Sequence, residues 1–165
     1  MHPNEIRVRL DDSTAIAGAL ELPASPRGVI VFAHGSGSSR FSRRNQLVAS
    51  SLARAGFATL LLDLLTVEEA RADAFTAQHR FDIALLSERV AAAIEWVKRA
   101  PGMADLDVGL FGASTGAAAA IVAAAARPHA VAAIVSRGGR PDLATAAALD
   151  AVRAPPLLVV GGHDP

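Results

Sequence analysis

The sequence predicts an α/β fold: a mostly parallel sheet with helices on both faces. Short apolar runs that are typical of buried strands alternate with segments that carry apolar residues at helical spacing. The first two strand candidates, residues 6–10 and 15–22, are separated only by the turn signal Asp11-Asp12-Ser13. We therefore expect the chain to open with an antiparallel hairpin.

Length and composition restrict the class of protein. A chain of 165 residues, 52% hydrophobic and 19% charged, is typical of a single globular domain. Sixteen basic and sixteen acidic residues balance, so neither nucleic acid nor an anionic membrane is expected as a partner. Cysteine is absent, which excludes a thiol nucleophile and disulfides. The first ten residues lack the apolar core of a signal peptide, and no apolar run is long enough for a membrane span, so we expect a cytoplasmic protein.

The strands and helices follow one another in a regular order. Val29–Ala33 and Ala58–Leu62 are continuous apolar runs, as in strands buried on both faces. Residues 66–80 are polar and charged, which indicates a loop or a mobile cover over a site. Apolar stripes predict a helix on each side of that segment, with Val48, Leu52 and Ala55 on the first and Leu86, Val90, Ile94 and Val97 on the second. Further along the chain we expect strands at 130–135 and 157–160, with a short helix at 143–152 between them.

Residues 107–127 contain the stretch on which the functional prediction depends. An apolar run leads into Gly112-Ala113-Ser114-Thr115-Gly116, and an alanine-rich helix follows. A strand, a tight turn and a helix around G-x-S-x-G are the context of a nucleophile elbow. Glycines two residues before and after the serine remove side chains that would collide with neighbouring backbone. Ser114 is therefore the candidate nucleophile.

Two other glycine-rich motifs can be weighed against the elbow. Gly109, Gly112 and Gly116 are spaced somewhat like the glycines of a dinucleotide-binding turn. That motif requires an acidic residue about 20 positions later, where this chain has only residues 131–135 without an acid. A phosphate-binding P-loop is excluded because no Gly-Lys-Ser/Thr follows the glycines. No cofactor is predicted.

An oxyanion hole needs two N–H donors. The N–H of Thr115 opens the helix after the elbow, where developing negative charge is favoured. The loop from His34 to Ser39 follows a central strand directly, and the N–H of Ser36 is our candidate for the second donor, unless this loop only joins strand to helix. His34 is an alternative catalytic base, although hydrogen bonds that hold the loop are the commoner role of a histidine there.

Parallel strands bring their carboxyl ends to one edge of the sheet, where active sites of such folds lie. Arg137 ends the strand after the elbow helix and is predicted to bind a substrate carboxylate or phosphate; alternatively it pairs with Asp63 or Asp142. Arg40, Arg43 and Arg44 open an earlier helix, and either meet an anionic substrate or form a solvated helix start.

Together these motifs resemble the α/β-hydrolase superfamily, and more closely its small dienelactone hydrolase-like members. The resemblance rests on VIVFAHGSGSS at 29–39, GLFGASTG at 109–116, SRGGRPD at 136–142 and LLVVGGHD at 157–164. It implies serine-dependent hydrolysis of an ester or related acyl substrate without a cofactor or metal. Dienelactone hydrolases use a cysteine nucleophile, so the serine here differs from their pattern.

The resemblance also implies a Ser…Asp…His order along the chain. Ser114 matches the nucleophile, Asp164 matches the acid, and Ser36 and Thr115 match the oxyanion positions. Asp142 is an alternative acid. Only Pro165 follows Asp164, so the histidine is missing, and no later element covers the apolar strand at 157–160. We therefore expect residues 1–165 to be a single domain truncated at its C-terminus, without its last strand and helix.

Two alternatives remain open for the missing base: a catalytically degenerate fold that binds a ligand or partner, or a base from another subunit. The identity of the acyl substrate and the oligomeric state cannot be read from the sequence.

Overall fold

A computed structural model describes residues 3–162, which form one seven-stranded sheet. The strands, in chain order, are β1 (Asn4–Arg9), β2 (Ala15–Glu21), β3 (Val29–Ala33), β4 (Ala58–Leu62), β5 (Val108–Ala113), β6 (Ala133–Arg137) and β7 (Pro156–Val159). The helices are α1 (Arg43–Arg54), α2 (Val67–Thr76), α3 (Ile83–Arg99), α4 (Thr115–Ala125) and α5 (Ala146–Ala151), with a 3₁₀ turn at Pro141–Leu143.

The strand order is β1-β2-β4-β3-β5-β6-β7, which confirms the predicted fold class. β1 and β2 form the expected antiparallel hairpin, and β2 pairs antiparallel with β4. The remaining strands, from β4 to β7, are all parallel. The carboxyl ends of β3, β5 and β6 therefore lie side by side at one edge of the sheet.

Helices cover both faces of the sheet. A small cluster that includes Phe32, Ala49 and Phe111 fills the space between the sheet and α1, and the rings of Phe32 and Phe111 lie 5.0 Å apart. The larger core lies on the opposite face, where α3 and α4 pack. The four predicted stripe residues of α3 (Leu86, Val90, Ile94 and Val97) are all buried there. Alternating side chains of β5 serve the two cores, Leu110 the larger and Phe111 the smaller.

The alanines of α4 have a packing role that the sequence did not indicate. Residues 115–121 of this helix are all buried, because α4 lies between α3 and the sheet. Methyl side chains let the helix backbone approach the sheet closely without leaving a void. The N-terminus of α4 is thereby held against the carboxyl ends of β3 and β5.

Three predicted elements differ from the observed ones. The segment at 66–80 is not a loop but contains α2, which begins with a capping box in which Thr66 and Glu69 bond each other's backbone N–H at 3.1 and 2.8 Å. The strand predicted at 130–135 is β6 at Ala133–Arg137, because residues 127–130 close a turn first. The helix predicted at 143–152 is split, since Thr145 caps a new helix by accepting from the N–H of Ala148.

β7 is the last described strand and forms an edge of the sheet. It pairs only with β6 among the strands described, and all four of its residues are exposed. The predicted acid Asp164 lies outside the described residues, as do His163 and Pro165. None of the helices within residues 3–162 is long and apolar enough to cross a membrane.

Candidate active site

Ser114 connects β5 to α4 through a sharp turn. Its backbone angles are φ 51° and ψ −124°, a region that L-amino acids with side chains rarely adopt. Such a conformation costs about 1–3 kcal/mol and persists where the surrounding structure enforces it. The half-buried side chain makes no capping hydrogen bond to α4, so the hydroxyl is not consumed by the helix that it precedes.

The glycines on either side of Ser114 make the turn sterically possible. A Cβ at Gly112 would overlap the backbone of Ala117, and a Cβ at Gly116 would overlap the carbonyl oxygens of Ala33 and His34. The turn is therefore packed backbone against backbone, as the motif predicted. Gly35, in the loop after β3, is less tightly packed, since a Cβ there would lie 3.0 Å from the Cβ of Ser114.

The two predicted oxyanion donors, Ser36 and Thr115, line one cavity of about 240 Å³, whereas Ser114 is among the residues that line a different cavity. The N–H of Ala117 donates to the carbonyl of Ser114 at 3.0 Å. The N–H of Thr115 belongs to the first turn of α4, where N–H groups have no acceptor within the helix. The Thr115 side chain is 2% exposed, and its hydroxyl has no hydrogen-bond partner among the described residues. The Thr115 hydroxyl is therefore a buried polar group without a partner at the edge of this cavity.

α2 and the turn after it contribute a wall of this cavity, through residues that include Ala70, Asp73 and Arg80. Asp73 is 4% exposed and accepts hydrogen bonds from the N–H groups of His79 and Arg80 and from the Arg80 guanidinium, at 2.7–3.0 Å. This ion pair fixes the turn over the cavity. Sequence reasoning missed both residues; the Thr66-x-x-Glu69 capping signal was the available clue to the helix that carries Asp73.

His34 holds the loop and has no ring nitrogen left for catalysis. The N–H of Leu64 donates to its Nε2 at 3.0 Å, so Nε2 is an acceptor and the ring proton lies on Nδ1. Nδ1–H in turn donates to the carbonyl of Gly35 at 2.8 Å. Burial lowers the pKa of His34, which favours this neutral form. The geometry supports the structural role over the base.

The two carboxylates considered as partners of Arg137 are engaged elsewhere. Asp63 pairs with the guanidinium of Arg40 and accepts its backbone N–H at 2.7 Å. Asp142 pairs with Arg140 at 2.7 Å, and the hydrogen bonds from that guanidinium hold the pKa of Asp142 below its usual value. Arg40 is thus a structural residue among the three arginines that precede or open α1.

Arg137 and Ser114 line different cavities. Arg137 pairs in register with Ala113, so its side chain lies on the α1 face of the sheet, where its Nη2 donates to Oδ1 of Asn45 at 3.3 Å. Ser114 instead lines a cavity of about 690 Å³ together with Ser136, Asp142 and Leu158. Asn45 was missed because a single polar residue in a helix does not reveal which face of the helix is buried.

This geometry was compared with known proteins. The dienelactone hydrolase family matches residues 16–165. A dienelactone hydrolase from Anabaena variabilis, solved by crystallography, is 52% identical, with a TM-score of 0.93 over 99% of this chain and 76% of that one. A dienelactone hydrolase-like promiscuous phosphotriesterase from metagenomic libraries has the same fold at 22% identity, with a TM-score of 0.75 over 100% of this chain and 71% of that one.

Curated relatives extend beyond the matched region. Two Mycobacterium tuberculosis proteins, from strains CDC 1551 and H37Rv, are 57% identical over 149 residues, or 90% of this chain, and are named "Putative phosphoribosyl transferase". The chain spans only 32% of their length, so about two thirds of those proteins lies outside the comparison. The family match covers most of the present chain, and the sheet order agrees with it. The chain therefore belongs to the dienelactone hydrolase family.

Proposed function

We propose that the protein is a serine hydrolase that acts on an ester or a related acyl substrate, with Ser114 as the nucleophile. The observation that carries the proposal is the positive φ of Ser114 at the N-terminus of α4. Ser114 lies between Gly112 and Gly116, two positions where a Cβ would overlap neighbouring backbone. A strained serine whose hydroxyl is not used in capping is suited to attack a carbonyl carbon.

In the proposed reaction the Ser114 Oγ attacks the carbonyl carbon and forms a tetrahedral intermediate. The N–H groups of Ser36 and Thr115 stabilise its oxyanion. The intermediate then collapses and expels the alcohol, which leaves with the proton that the base took from Ser114, and water hydrolyses the acyl-enzyme and regenerates the Ser114 hydroxyl. Asp164 is proposed to orient a histidine that follows it in chain order and that takes the proton from Ser114. His34 is not that base, because both of its ring nitrogens are already bonded.

The nucleophile can be tested by covalent labelling. A fluorophosphonate probe should label the full-length protein, and Ser114→Ala should abolish both labelling and ester hydrolysis, because the probe reacts only with an activated serine hydroxyl. Ser36→Ala is the matched control: it removes a hydroxyl from the same site but keeps the N–H that the proposal uses, so labelling should persist. Undiminished labelling of Ser114→Ala would contradict the proposal.

The acid can be tested by comparing two carboxylates in the full-length protein. Asp164→Asn should lower kcat about 10⁴-fold, as a wrong histidine tautomer does in a serine triad. Asp142→Asn should have a small effect, because the carboxylate of Asp142 is committed to Arg140. The reverse pattern would make Asp142 the acid.

A further inference from the structure

A cavity of about 350 Å³ lies on the α1 face of the sheet, next to the elbow. Its polar lining consists of Ser38, Ser42, Arg43, Arg44, Asn45 and Arg137. It also borders Gly35 and Ala113, the residue that immediately precedes Ser114. A group bound in this cavity would lie close to the proposed nucleophile, although Ser114 itself lines a different cavity.

The cavity carries an excess of positive charge. Within residues 3–162, no carboxylate lies at ion-pair distance from Arg43, Arg44 or Arg137. Other arginines near the same edge are neutralised, as Arg40 is by Asp63 and Arg80 by Asp73. Three unpaired guanidinium groups at one cavity produce a field that attracts an anion.

The Arg137 side chain is held in place, but most of its N–H donors have no acceptor among the described residues. Its hydrogen bond to Asn45 is the only one that the described part of the chain provides, although a guanidinium has five donors. Its Nε is buried without an acceptor among those same residues. Asn45 is itself 2% exposed, and its N–H is capped by Ser42. The guanidinium is thus oriented before any ligand arrives, which reduces the entropic cost of binding.

The first turn of α1 breaks a local electrostatic rule. It contains no acidic residue and begins with Arg43 and Arg44 at the positive end of the helix dipole, where anions rather than cations are favoured. Local conflicts of this kind concentrate at functional sites. An anion bound beside the turn would interact favourably with both the side chains and the helix end.

We propose that this cavity binds an anionic oxygen group, a carboxylate or a phosphate, carried by the substrate whose carbonyl is attacked at Ser114. Arg137 binds two oxygens of that group through its fork of N–H donors, while Arg43 and Arg44 add charge at the rim. The proposal rests on the proposed function for its link to catalysis, but the anion site itself can be tested without hydrolysis.

Binding is measured first, by calorimetric titration of inorganic phosphate and of acetate into full-length Ser114→Ala. Either anion should bind, and Arg137→Gln should weaken the tighter of the two about 10-fold or more, as expected for lost charge-assisted bonds. Arg43→Gln combined with Arg44→Gln should weaken it several-fold, and these exposed positions keep the test valid if Arg137→Gln does not fold. Arg153→Gln, which removes the same charge from an exposed site elsewhere, should leave affinity within about two-fold.

Hydrolysis is then compared for three esters that are alike except for a neutral, carboxylate or phosphate terminus. Arg137→Gln should lower kcat/KM for an anionic ester about 10-fold relative to the neutral one, and the ester that loses more identifies the group. The absence of anion binding by Ser114→Ala, or equal weakening by Arg153→Gln, would overturn the anion site. Arginine-dependent binding without hydrolysis of any ester would retain the site and reject the proposed function.

Discussion

Close backbone contacts at Gly112 and Gly116 hold Ser114 in its strained conformation. The flanking glycines predicted the strained turn, because the overlap that they avoid is with adjacent backbone. The hydrogen-bond partner of Arg137 could not be predicted from its neighbours in sequence. Whether it meets Asp63, Asp142 or Asn45 depends on which face of β6 its side chain occupies, and that is fixed by the pairing of Arg137 with Ala113. Contacts between distant segments are decided by register, which the sequence alone does not reveal.

His34 should make the stability of the protein depend on pH. Its pKa in the folded state lies below the ordinary value of 6.5, so the unfolded chain binds the proton more tightly. The stabilisation is complete above pH 6.5 and is lost as pH falls from there towards the lowered pKa. The free energy of unfolding should decrease in that window by at most about 1.4 kcal/mol per pH unit for one proton.

The measurement is urea denaturation between pH 5 and 7.5 for the parent protein, His34→Gln and His129→Gln. His34→Gln should be less stable at neutral pH but should lose the slope, since glutamine does not titrate. His129 is exposed, so His129→Gln should retain the slope. An unchanged slope in His34→Gln would show that another group titrates in this window.

At the scale of single elements, the apolar pattern distinguishes the helices that were predicted from the one that was not. α3 has a continuous buried stripe and was predicted with its end before Pro101. α2 buries only Asp73, so no helical periodicity of apolar residues exists to be found. Its stability comes from its capping box, from the Glu69–Arg89 ion pair and from the bonds of Asp73. Such a helix can be predicted only from the polar residues that cap its N-terminus.

Thr66 is the residue on which α2 should depend most. Thr66→Ala removes the side-chain acceptor of the Glu69 N–H and should lower the free energy of unfolding by about 0.5–2 kcal/mol. Thr76→Ala is the control in the last turn of the same helix, where the exposed hydroxyl donates to the carbonyl of Ala72 at 3.1 Å and accepts a long bond from the N–H of Gln78 at 3.5 Å. Chemical denaturation of both variants measures the difference. Equal effects would mean that the cap does not stabilise α2.

At the scale of the whole molecule, the parallel order of strands β4 to β7 followed from the alternation of strands and helices. The position of β2 next to β4 did not follow from that alternation, because the sequence pattern does not show which strand the N-terminal hairpin pairs with. Of the candidate site, the sharp turn at Ser114 was predicted from a motif. The basic cavity was not predicted, because its residues 43–45 on α1 and residue 137 on β6 are far apart in sequence and meet only in the folded chain.

β7 should make the 165-residue chain prone to self-association. This exposed edge strand is apolar, with Leu157 59% exposed, and such edges pair with other copies. Sedimentation velocity of a protein made of these residues should show association that increases with concentration, and Leu157→Lys should reduce it. Leu47→Lys, at a leucine of α1 that is 71% exposed, should not reduce it. The prediction fails if the two variants behave alike.

The contact between Gly116 and the carbonyl oxygens of Ala33 and His34 also limits how the protein can evolve. Every replacement of a glycine adds at least a Cβ, so no amino-acid change at this codon is sterically neutral. Random mutagenesis should therefore recover new substrate preferences without ever altering this position. Variants with changed specificity should instead accumulate in the exposed lining of the neighbouring cavities, at residues such as Arg43 and Arg44.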